Sequence, residues 1–171
     1  AKAAHFMMLC DAFGLAVISL CDTPGFMVGP PSEITGAVRH GSRMFTVGAS
    51  LSVPVLMVVL RKAYGLGAQA MGAGSLHAPA LTIAWPTAEF GGMGLEGAVR
   101  LGYAKELAAC ATEEARQALF DELVAKSYAR GKAVSIAAYL EIDAVIDPAD
   151  TRDWLTRALS AVNANVGARC G

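Results

Sequence analysis

The segment AYGLGAQAM, at positions 63–71, carries residues suited to backbone chemistry. Gly65 and Gly67 follow an apolar run and open a short helix-forming stretch, which predicts a tight turn from a strand into a helix. Amides in the first turn of a helix have no acceptor within that helix, and the glycines leave them accessible. Together with the helix dipole, such amides stabilise a developing enolate without any catalytic side chain. The same glycines would equally allow close packing of strand on helix, and both interpretations stay open at this point.

Two glycine patterns suggest nucleotide binding, but both lack their companion residues. The DTPG stretch at 22–25 matches the D-x-x-G element of GTP hydrolases, yet the sequence has no G-x-x-x-x-G-K-[ST] phosphate loop. Residues 65–70 formally fit G-x-G-x-x-A, but Trp85 and Pro86 occupy the region where a ribose-binding acidic residue is expected. We therefore interpret Asp22 as a polar strand-end residue that hydrogen-bonds its own turn.

The sequence offers little for side-chain catalysis or metal binding. His5, His40 and His77 are far apart, no G-x-S-x-G elbow is present, and the adjacent carboxylates Glu113 and Glu114 are typical of a helix start. The scattered cysteines form no C-x-x-C pair, so we predict no metal site and no disulfide, and reduced thiols favour a cytoplasmic protein. The cysteines are Cys10, Cys21, Cys110 and Cys170.

Length and charge narrow the class of protein further. A chain of 171 residues suits one domain with a sizeable core. With 14 basic and 15 acidic side chains it has no basic footprint for nucleic acid, and no cluster of Lys and Arg suggests a membrane surface. Its longest apolar run, residues 53–60, is far shorter than the roughly 20 residues that span a bilayer. Residues 2–9 are typical of a helix interior with no capping residue, so we expect an excised piece of a longer polypeptide.

The apolar pattern predicts strand, loop and helix repeated three times, followed by further helices. The predicted elements are a helix ending near residue 12; strands at 15–20, 55–60 and 81–85; a helix capped by Ser32 and running to residue 48; a long helix opened by Thr112; and a last helix starting at Asp147-Pro148. The first strand lacks polar alternation, so we expect it to be buried on both faces. The predicted core faces of the helices are Ile34, Ala37, Val38, Gly41, Met44, Phe45 and Gly48; Phe120, Leu123, Val124 and Tyr128; and Trp154, Leu155, Ala158, Leu159 and Val162. This order predicts an α/β fold with right-handed crossovers and a ligand site at the carboxyl ends of the strands.

Five motifs occur in register and together resemble one family, with a resemblance that covers about residues 2–154. They are DTPGFMVGPPSE, AVRHGSRMF, VPVLMVVLRKAYGLGAQAM, AWPTAEFGGMGLEGAV and IDAVIDPADTR. The chain resembles the C-terminal half of the carboxyltransferase (beta) subunit of biotin-dependent acyl-CoA carboxylases of the propionyl-, acetyl- or methylcrotonyl-CoA type. The resemblance implies a crotonase/ClpP-like α/β fold, a spiral of repeated β-β-α units with C-terminal helices. It also implies that residues 1–171 are one domain of a two-domain subunit, without the N-terminal acyl-CoA-side domain.

The resemblance further implies an enzyme that transfers a carboxyl group from carboxybiotin to the α-carbon of an acyl-CoA. The cofactor would be biotin on a partner carrier protein, the substrate an acyl-CoA, and no metal would take part. Expected partners are the biotin carboxylase/biotin carrier subunit, the N-terminal carboxyltransferase domain and further copies, because the full-length family resembles a hexamer built from dimers. Neither nucleic acid nor membrane is expected as a partner. We expect a cytoplasmic protein, and the isolated domain to be inactive alone.

Carried over position by position, the biotin-side oxyanion hole maps onto Gly65, Leu66 and Gly67. The amides of Leu66 and Gly67 would stabilise the biotin enolate, although Leu66 departs from the commoner Tyr-Gly-Gly-Ala form. Gln69 resembles the substrate-discriminating position. The expected walls of the substrate and biotin pocket are Tyr64, Gly91, Gly92, Met93 and Gly94.

Two further functions remain compatible with these residues. One is a decarboxylase of the same fold, acting on methylmalonyl-CoA in a biotin-dependent sodium pump. The other is a non-catalytic assembly module that associates through faces left open by a missing domain. The motifs do not distinguish among acyl groups, and they identify neither the carrier protein nor the oligomer count.

Overall fold

The computed structural model describes the backbone of residues 2–169 and the side chains of residues 2–162. Helices and strands alternate through the first part of the chain, and helices dominate the last part. The elements are α1 (Lys2–Ala12), β1 (Val17–Thr23), α2 (Pro30–Ile34), α3 (Ala37–Gly48), β2 (Val55–Tyr64), α4 (Gly65–Met71), β3 (Leu81–Ala84), β4 (Glu89–Gly91), α5 (Leu95–Gly102), α6 (Ala104–Ala108), α7 (Glu113–Gly131), α8 (Ala133–Ala138), β5 (Ala144–Val145), a 3-10 turn (Pro148–Asp150) and α9 (Thr151–Arg169).

The strands form one parallel sheet in the order β1-β2-β3-β5, with β4 paired to the far end of β2. The first residues of β2 pair with β1 and β3, as in the alignment of Val55 with Val17. Its last residues pair with β4, where Tyr64 lies opposite Gly91. This confirms the predicted α/β fold, and it places the carboxyl end of β2 between β1 and β4.

The core is built around β2, whose residues 56–59 are completely buried. A strand buried on both faces requires a continuous apolar run, and Leu56-Met57-Val58-Val59 supplies one. Burial of each such side chain contributes about 1.5–3 kcal/mol. The polar residues of β2 begin at Arg61, where the strand leaves the core. The turn into α4 therefore follows directly from a strand that the core holds rigidly.

The prediction that the first strand is buried on both faces is wrong. Val17 and Cys21 are buried, but Ile18 is 47% and Leu20 is 55% exposed. The reason is that β1 lies at the edge of the sheet, and within the described residues no element covers its second face.

The predicted helix from Ser32 to residue 48 is divided into α2 and α3. Gly36 adopts a φ of +73° between them, and α2 begins at Pro30 without any side-chain cap, so the capping role predicted for Ser32 is also wrong. The kink shifts the phase of the apolar stripe, which leaves Ile34 and Val38 exposed. Gly41 is buried as predicted.

The predicted starts of the C-terminal helices agree with the structure. The Thr112 hydroxyl accepts a hydrogen bond from the Ala115 amide at the start of α7, and Asp147 caps the 3-10 turn that leads into α9. Their predicted core faces are only half-buried, and Trp154 is exposed. Helix α7 packs mainly on other helices and on β4, whereas Leu155 of α9 packs against the core cluster around Ile83. Nowhere in residues 2–169 is there a helix with the length and apolar character needed to cross a membrane.

Candidate active site

The turn between β2 and α4 contains no loop residues. Strand β2 ends at Tyr64, and α4 begins at Gly65, which has a φ of +56°. A side chain is strained in this left-handed region. A Cβ at Gly65 would also lie 2.6 Å from the Gly92 carbonyl oxygen. Glycine is therefore required at position 65 by its left-handed backbone conformation and by the nearby Gly92 carbonyl oxygen.

The first turn of α4 begins with backbone amides that no side chain caps. Tyr64 is the N-cap residue, and its side chain makes no capping hydrogen bond. The amides of Leu66 and Gly67 belong to the helix start, where backbone donors have no acceptor in their own helix. Because α4 has only seven residues, its electrostatic effect comes from these local N–H groups more than from a long dipole.

The DTPG stretch packs directly against this turn. A Cβ at Gly67 would lie 2.8 Å from the Gly25 Cα and 3.2 Å from the Thr23 Oγ1, so the two backbones touch. The Gly25 amide donates to Thr23 Oγ1 at 3.2 Å, and a Cβ at Gly25 would lie 3.2 Å from the Tyr64 carbonyl oxygen. The DTPG stretch thus supports the turn from the β1 side.

Asp22 anchors the same stretch to β2. Its carboxylate accepts from the Lys62 amide at 3.1 Å and from Arg61 Nε at 3.2 Å. The predicted bond between Asp22 and its own turn is wrong, since Thr23 makes that bond while Asp22 reaches the neighbouring strand. The hydrogen bond from Arg61 holds the pKa of Asp22 below its ordinary value, which keeps the anchor ionised at neutral pH.

Two clefts flank the turn. The glutamine cleft, of about 390 Å³, is lined by Ala63, Gly65, Ala68, Gln69, Leu76, Phe90, Gly91, Gly92, Ile136, Tyr139 and Glu141. The leucine cleft, of about 410 Å³, is lined by Phe26, Met27, Val28, Glu33, Ala37, Val38, Ser42, Phe45 and Leu66. Since Gly65 belongs to the first cleft and Leu66 to the second, the turn separates two spaces that are each large enough for a small ligand group.

The structure brings some of the predicted site residues together and separates others. Gly65, Gln69, Gly91 and Gly92 all line the glutamine cleft, whereas Leu66, which is 60% exposed, faces the leucine cleft. Gly67 is buried against the DTPG stretch. Tyr64 is only 3% exposed and, like Met93 and Gly94, lines neither cleft.

Sequence reasoning missed the contributions of distant elements. Ile136 and Tyr139 of the α8 region reach the glutamine cleft, and Val38 of α3 reaches the leucine cleft. Nothing local in the sequence signals these contacts. Glu89 also went unnoticed, although its spacing of two residues from Gly91 places it on the strand that pairs with the end of β2.

Tyr64 is held by a hydrogen bond beneath the turn. Its hydroxyl donates to Glu89 Oε2 at 2.9 Å, and burial together with the glutamate raises its pKa well above the ordinary value. It therefore remains a donor at every physiological pH. Similarly, the hydrogen bond to Glu96 raises the pKa of Tyr128 to about 12.

The described residues offer no metal site, and the thiol of the completely buried Cys21 is unreactive. Within them, no group of three or more His, Cys, Asp or Glu side chains is arranged to bind a metal ion. Burial raises the pKa of Cys21 to about 11, so its thiol is inert at neutral pH. Cys10 and Cys110 are also free thiols, and Cys170 lies outside the described residues. The groups that the turn itself offers to a ligand include the backbone amides of Leu66 and Gly67.

Comparisons with known proteins match nearly the whole chain to a single family. The profile of the carboxyl transferase domain matches residues 1–168. The biotin-dependent acetyl-/propionyl-coenzyme A carboxylase beta6 subunit of Mycobacterium bovis is 40% identical over 167 residues, which cover 97% of this chain and 35% of that subunit. The chain thus spans about a third of this curated relative.

Solved structures agree in fold as well as in sequence. A single-chain, multi-domain long-chain acyl-CoA carboxylase is 58% identical with a TM-score of 0.80, and the match covers 92% of this chain and 15% of that one. The transcarboxylase 12S hexamer, solved with methylmalonyl-coenzyme A bound, is 36% identical with a TM-score of 0.85, over 95% of this chain and 31% of that one. These neighbours are carboxyltransferases of crotonase-like fold, which confirms the predicted fold class. The chain therefore belongs to the carboxyl transferase domain family, whose members include the carboxyltransferases of biotin-dependent acyl-CoA carboxylases.

Proposed function

We propose that the chain is the C-terminal, biotin-facing domain of a two-domain carboxyltransferase subunit. The proposed reaction moves a carboxyl group from carboxybiotin, attached to a carrier protein, to the α-carbon of an acyl-CoA. One observation carries the proposal: the β2–α4 turn presents the amides of Leu66 and Gly67 with no side-chain cap, in a chain that matches the family over residues 1–168.

The residues at the turn fit a carboxybiotin ring. Carboxybiotin would supply the carboxyl group and then the base that removes the α-proton of the acyl-CoA. Leu66 and Gly67 would donate their N–H groups to the ring oxygen that gains negative charge as the carboxyl group leaves. The leucine cleft, with Phe26 and Val38 in its wall, offers an apolar surface for an uncharged ring beside these donors.

These donors need no reorganisation energy during the reaction, because the turn that carries them is already packed on both sides. Gly67 lies against Gly25, and Gly65 lies against the Gly92 carbonyl. Preorganised donors stabilise developing charge better than water does, since water must reorient. Removal of one such donor typically costs about 100- to 1000-fold in kcat.

For the acyl group we propose a long chain. The solved long-chain acyl-CoA carboxylase is 58% identical to this chain, well above the 36% of the transcarboxylase 12S structure. The glutamine cleft adds physical support, because Leu76, Phe90 and Ile136 give it an apolar wall beside the uncharged Gln69. An apolar wall favours an alkyl chain through burial of its methylene groups.

The proposed partners are the N-terminal carboxyltransferase domain, the biotin carrier with its carboxylase, and further copies of the subunit. Exposed apolar residues support contact with additional protein surface, among them Leu20 on β1 and Val28 beside the leucine cleft. The curated relatives, which are about three times as long, supply the remaining surface in their own chains. Residues 1–171 correspond to about a third of such a curated relative, so we expect them to lack transfer activity when they are produced alone.

The test is a transfer assay with the complete subunit and with the 171-residue chain alone. The complete subunit should move the carboxyl group from an α-carboxyacyl-CoA to free biotin, and the isolated chain should not. In the same assay, a panel of α-carboxyacyl-CoA donors from short to long should give the highest kcat/KM with long chains. Transfer by the isolated chain would contradict the two-domain proposal, and a preference for methylmalonyl-CoA, a short donor, would contradict the proposed acyl group.

A further inference from the structure

Two tyrosine–glutamate pairs, Tyr64–Glu89 and Tyr128–Glu96, lie near each other, and they differ in burial. The Tyr64 hydroxyl donates to Glu89 Oε2 at 2.9 Å in a partly buried hydrogen bond. The Tyr128 hydroxyl donates to Glu96 Oε1 at 2.6 Å in an exposed one. The charge of each glutamate also raises the pKa of the other pair's tyrosine, which reflects their proximity.

Tyr64 occupies the residue at which the strand becomes a helix. It is the last residue of β2 and the N-cap of α4, with φ −108° and ψ 129°. The next residue, Gly65, has a φ of +56°. Rotation of the backbone at these two residues would turn the amides of Leu66 and Gly67 together, because both amides lie in the rigid first turn that follows.

Tyr64 is fixed from the β4 side by two kinds of contact. The backbone pairing of β2 and β4 ends with Tyr64 opposite Gly91, and a Cβ at Gly91 would lie 3.5 Å from Cδ1 of the Tyr64 ring. Glu89, two residues before Gly91 on the same strand, receives the hydroxyl hydrogen bond. One strand therefore anchors both the backbone and the far end of this side chain.

The second pair has no such connection. Tyr128 lies on α7 and Glu96 on α5, so their hydrogen bond joins two helices that do not continue into the turn. An exposed hydrogen bond of this kind contributes little to geometry elsewhere in the molecule. The two pairs therefore contain the same type of hydrogen bond, but only the Tyr64–Glu89 bond is connected to the turn.

Resting on the proposed function, we infer that Tyr64 and Glu89 are positioning residues of the oxyanion hole. Their hydrogen bond holds the Tyr64 ring, and through it the orientation of the Leu66 and Gly67 amides toward the oxygen on which charge develops. Neither side chain touches the reacting groups, because neither Tyr64 nor Glu89 lines the glutamine cleft or the leucine cleft. A small loss of orientation at a catalytic group can lower the rate by as much as about 100-fold.

The experiment compares Tyr64→Phe with Tyr128→Phe in the complete subunit. Each substitution removes one hydroxyl and keeps the ring. In the transfer of the carboxyl group from an α-carboxyacyl-CoA to free biotin, Tyr64→Phe should lower kcat about tenfold with KM changed less than about twofold. Tyr128→Phe should leave both constants within about twofold of wild type. Amide hydrogen exchange in residues 64–71 should become faster in Tyr64→Phe alone, because only that variant loosens the turn.

Substitutions of Glu89 provide a second test that does not depend on the tyrosine variant folding. Glu89→Gln keeps an oxygen acceptor for the Tyr64 hydroxyl and should retain at least about half of the wild-type kcat, whereas Glu89→Leu should lose about tenfold. The inference is overturned if Tyr64→Phe matches Tyr128→Phe in kcat and exchange, or if Glu89→Leu matches Glu89→Gln. A wild-type subunit that transfers no carboxyl group at all, while the exchange difference persists, would instead overturn the proposed function.

Discussion

The two faces of the β2–α4 turn differ in what they expose. On the backbone face, Gly65 and Gly67 pack against Gly92 and Gly25 so tightly that a methyl group at either position would meet backbone atoms within 2.8 Å. On the side-chain face, Leu66 and Gln69 extend into two separate clefts and are exposed. Neighbouring residues of one short helix therefore differ sharply, since some pack against backbone and others extend into open space.

This difference separates two requirements of the proposed reaction. Stabilisation of a developing charge requires donors whose positions do not change, and the confined glycines supply that rigidity. Discrimination among substrates requires side chains that can differ without disturbing the donors, and the exposed positions allow this. Substitutions on the backbone face should therefore damage the fold, while those on the side-chain face should change specificity.

The largest effect is expected on the backbone face, at Gly65. Gly65→Ala combines a left-handed φ of +56° with a Cβ placed 2.6 Å from the Gly92 carbonyl oxygen. The strain and the overlap together should lower the free energy of unfolding by roughly 3 kcal/mol. Urea titration of the wild-type and variant chains measures this difference.

The control is Gly92→Ala in the opposing loop. A Cβ at Gly92 meets no atom within 4 Å, so the free energy of unfolding should change by less than about 0.5 kcal/mol. Equal destabilisation by the two variants would show that any loss of glycine in this region is harmful. That result would remove the distinction between a confined turn and an open loop.

A smaller effect on stability, but a clear one on specificity, is expected on the side-chain face. Gln69→Ala removes an exposed side chain from the wall of the glutamine cleft. The free energy of unfolding should change by less than about 0.5 kcal/mol, while the ratio of kcat/KM between long and short acyl-CoA substrates should shift about tenfold. An unchanged ratio in the complete subunit would mean that Gln69 does not contact the acyl group.

A modest effect on stability, with no effect on specificity, is expected at the edge of the backbone face, where Asp22 joins the DTPG stretch to β2. Its pKa is depressed in the folded chain, chiefly by the Arg61 hydrogen bond, so it adds stability above its unfolded pKa and loses this contribution as the pH falls through the folded pKa. Asp22→Asn should therefore cost less than about 1 kcal/mol at pH 7, because the ion pair is largely exposed. Unfolding titrations at pH 7 and pH 3 test this, and a difference that grows at low pH would be opposite to the expected sign.

The sequence predicts the backbone face better than the side-chain face. Glycines after a buried apolar run indicate a tight strand-to-helix turn, and Gly65 and Gly67 lie in that turn. Local rules suffice there because a strand that ends in glycine has few ways to continue. The function of the DTPG stretch was not predictable from spacing alone, since its contact with Gly67 joins residues about 40 positions apart.

The clefts depend on tertiary contacts that no local pattern contains. Tyr139 reaches the glutamine cleft from the α8 region, and Val38 of α3 reaches the leucine cleft beside Phe26, a loop residue whose ring lies against Gly41. Tyr64 was expected in the pocket wall, but it is buried and lines neither cleft. The reason is that β2 pairs with β4, a short strand that was not predicted, and the Tyr64 hydroxyl bonds to Glu89 on that strand. A strand of three residues is too short to give a periodic signal.

The most direct test of the turn's proposed role removes one amide hydrogen from it. Leu66→Pro deletes the Leu66 N–H in the first turn of α4, where proline is tolerated, and the 60% exposure of Leu66 leaves room for the ring. Leu66→Ala is the matched control, since it shortens the side chain and keeps the N–H. In the transfer of a carboxyl group to biotin by the complete subunit, Leu66→Pro should have a kcat at least about 100-fold below that of Leu66→Ala. Equal kcat values for the two variants would contradict an oxyanion hole at this turn.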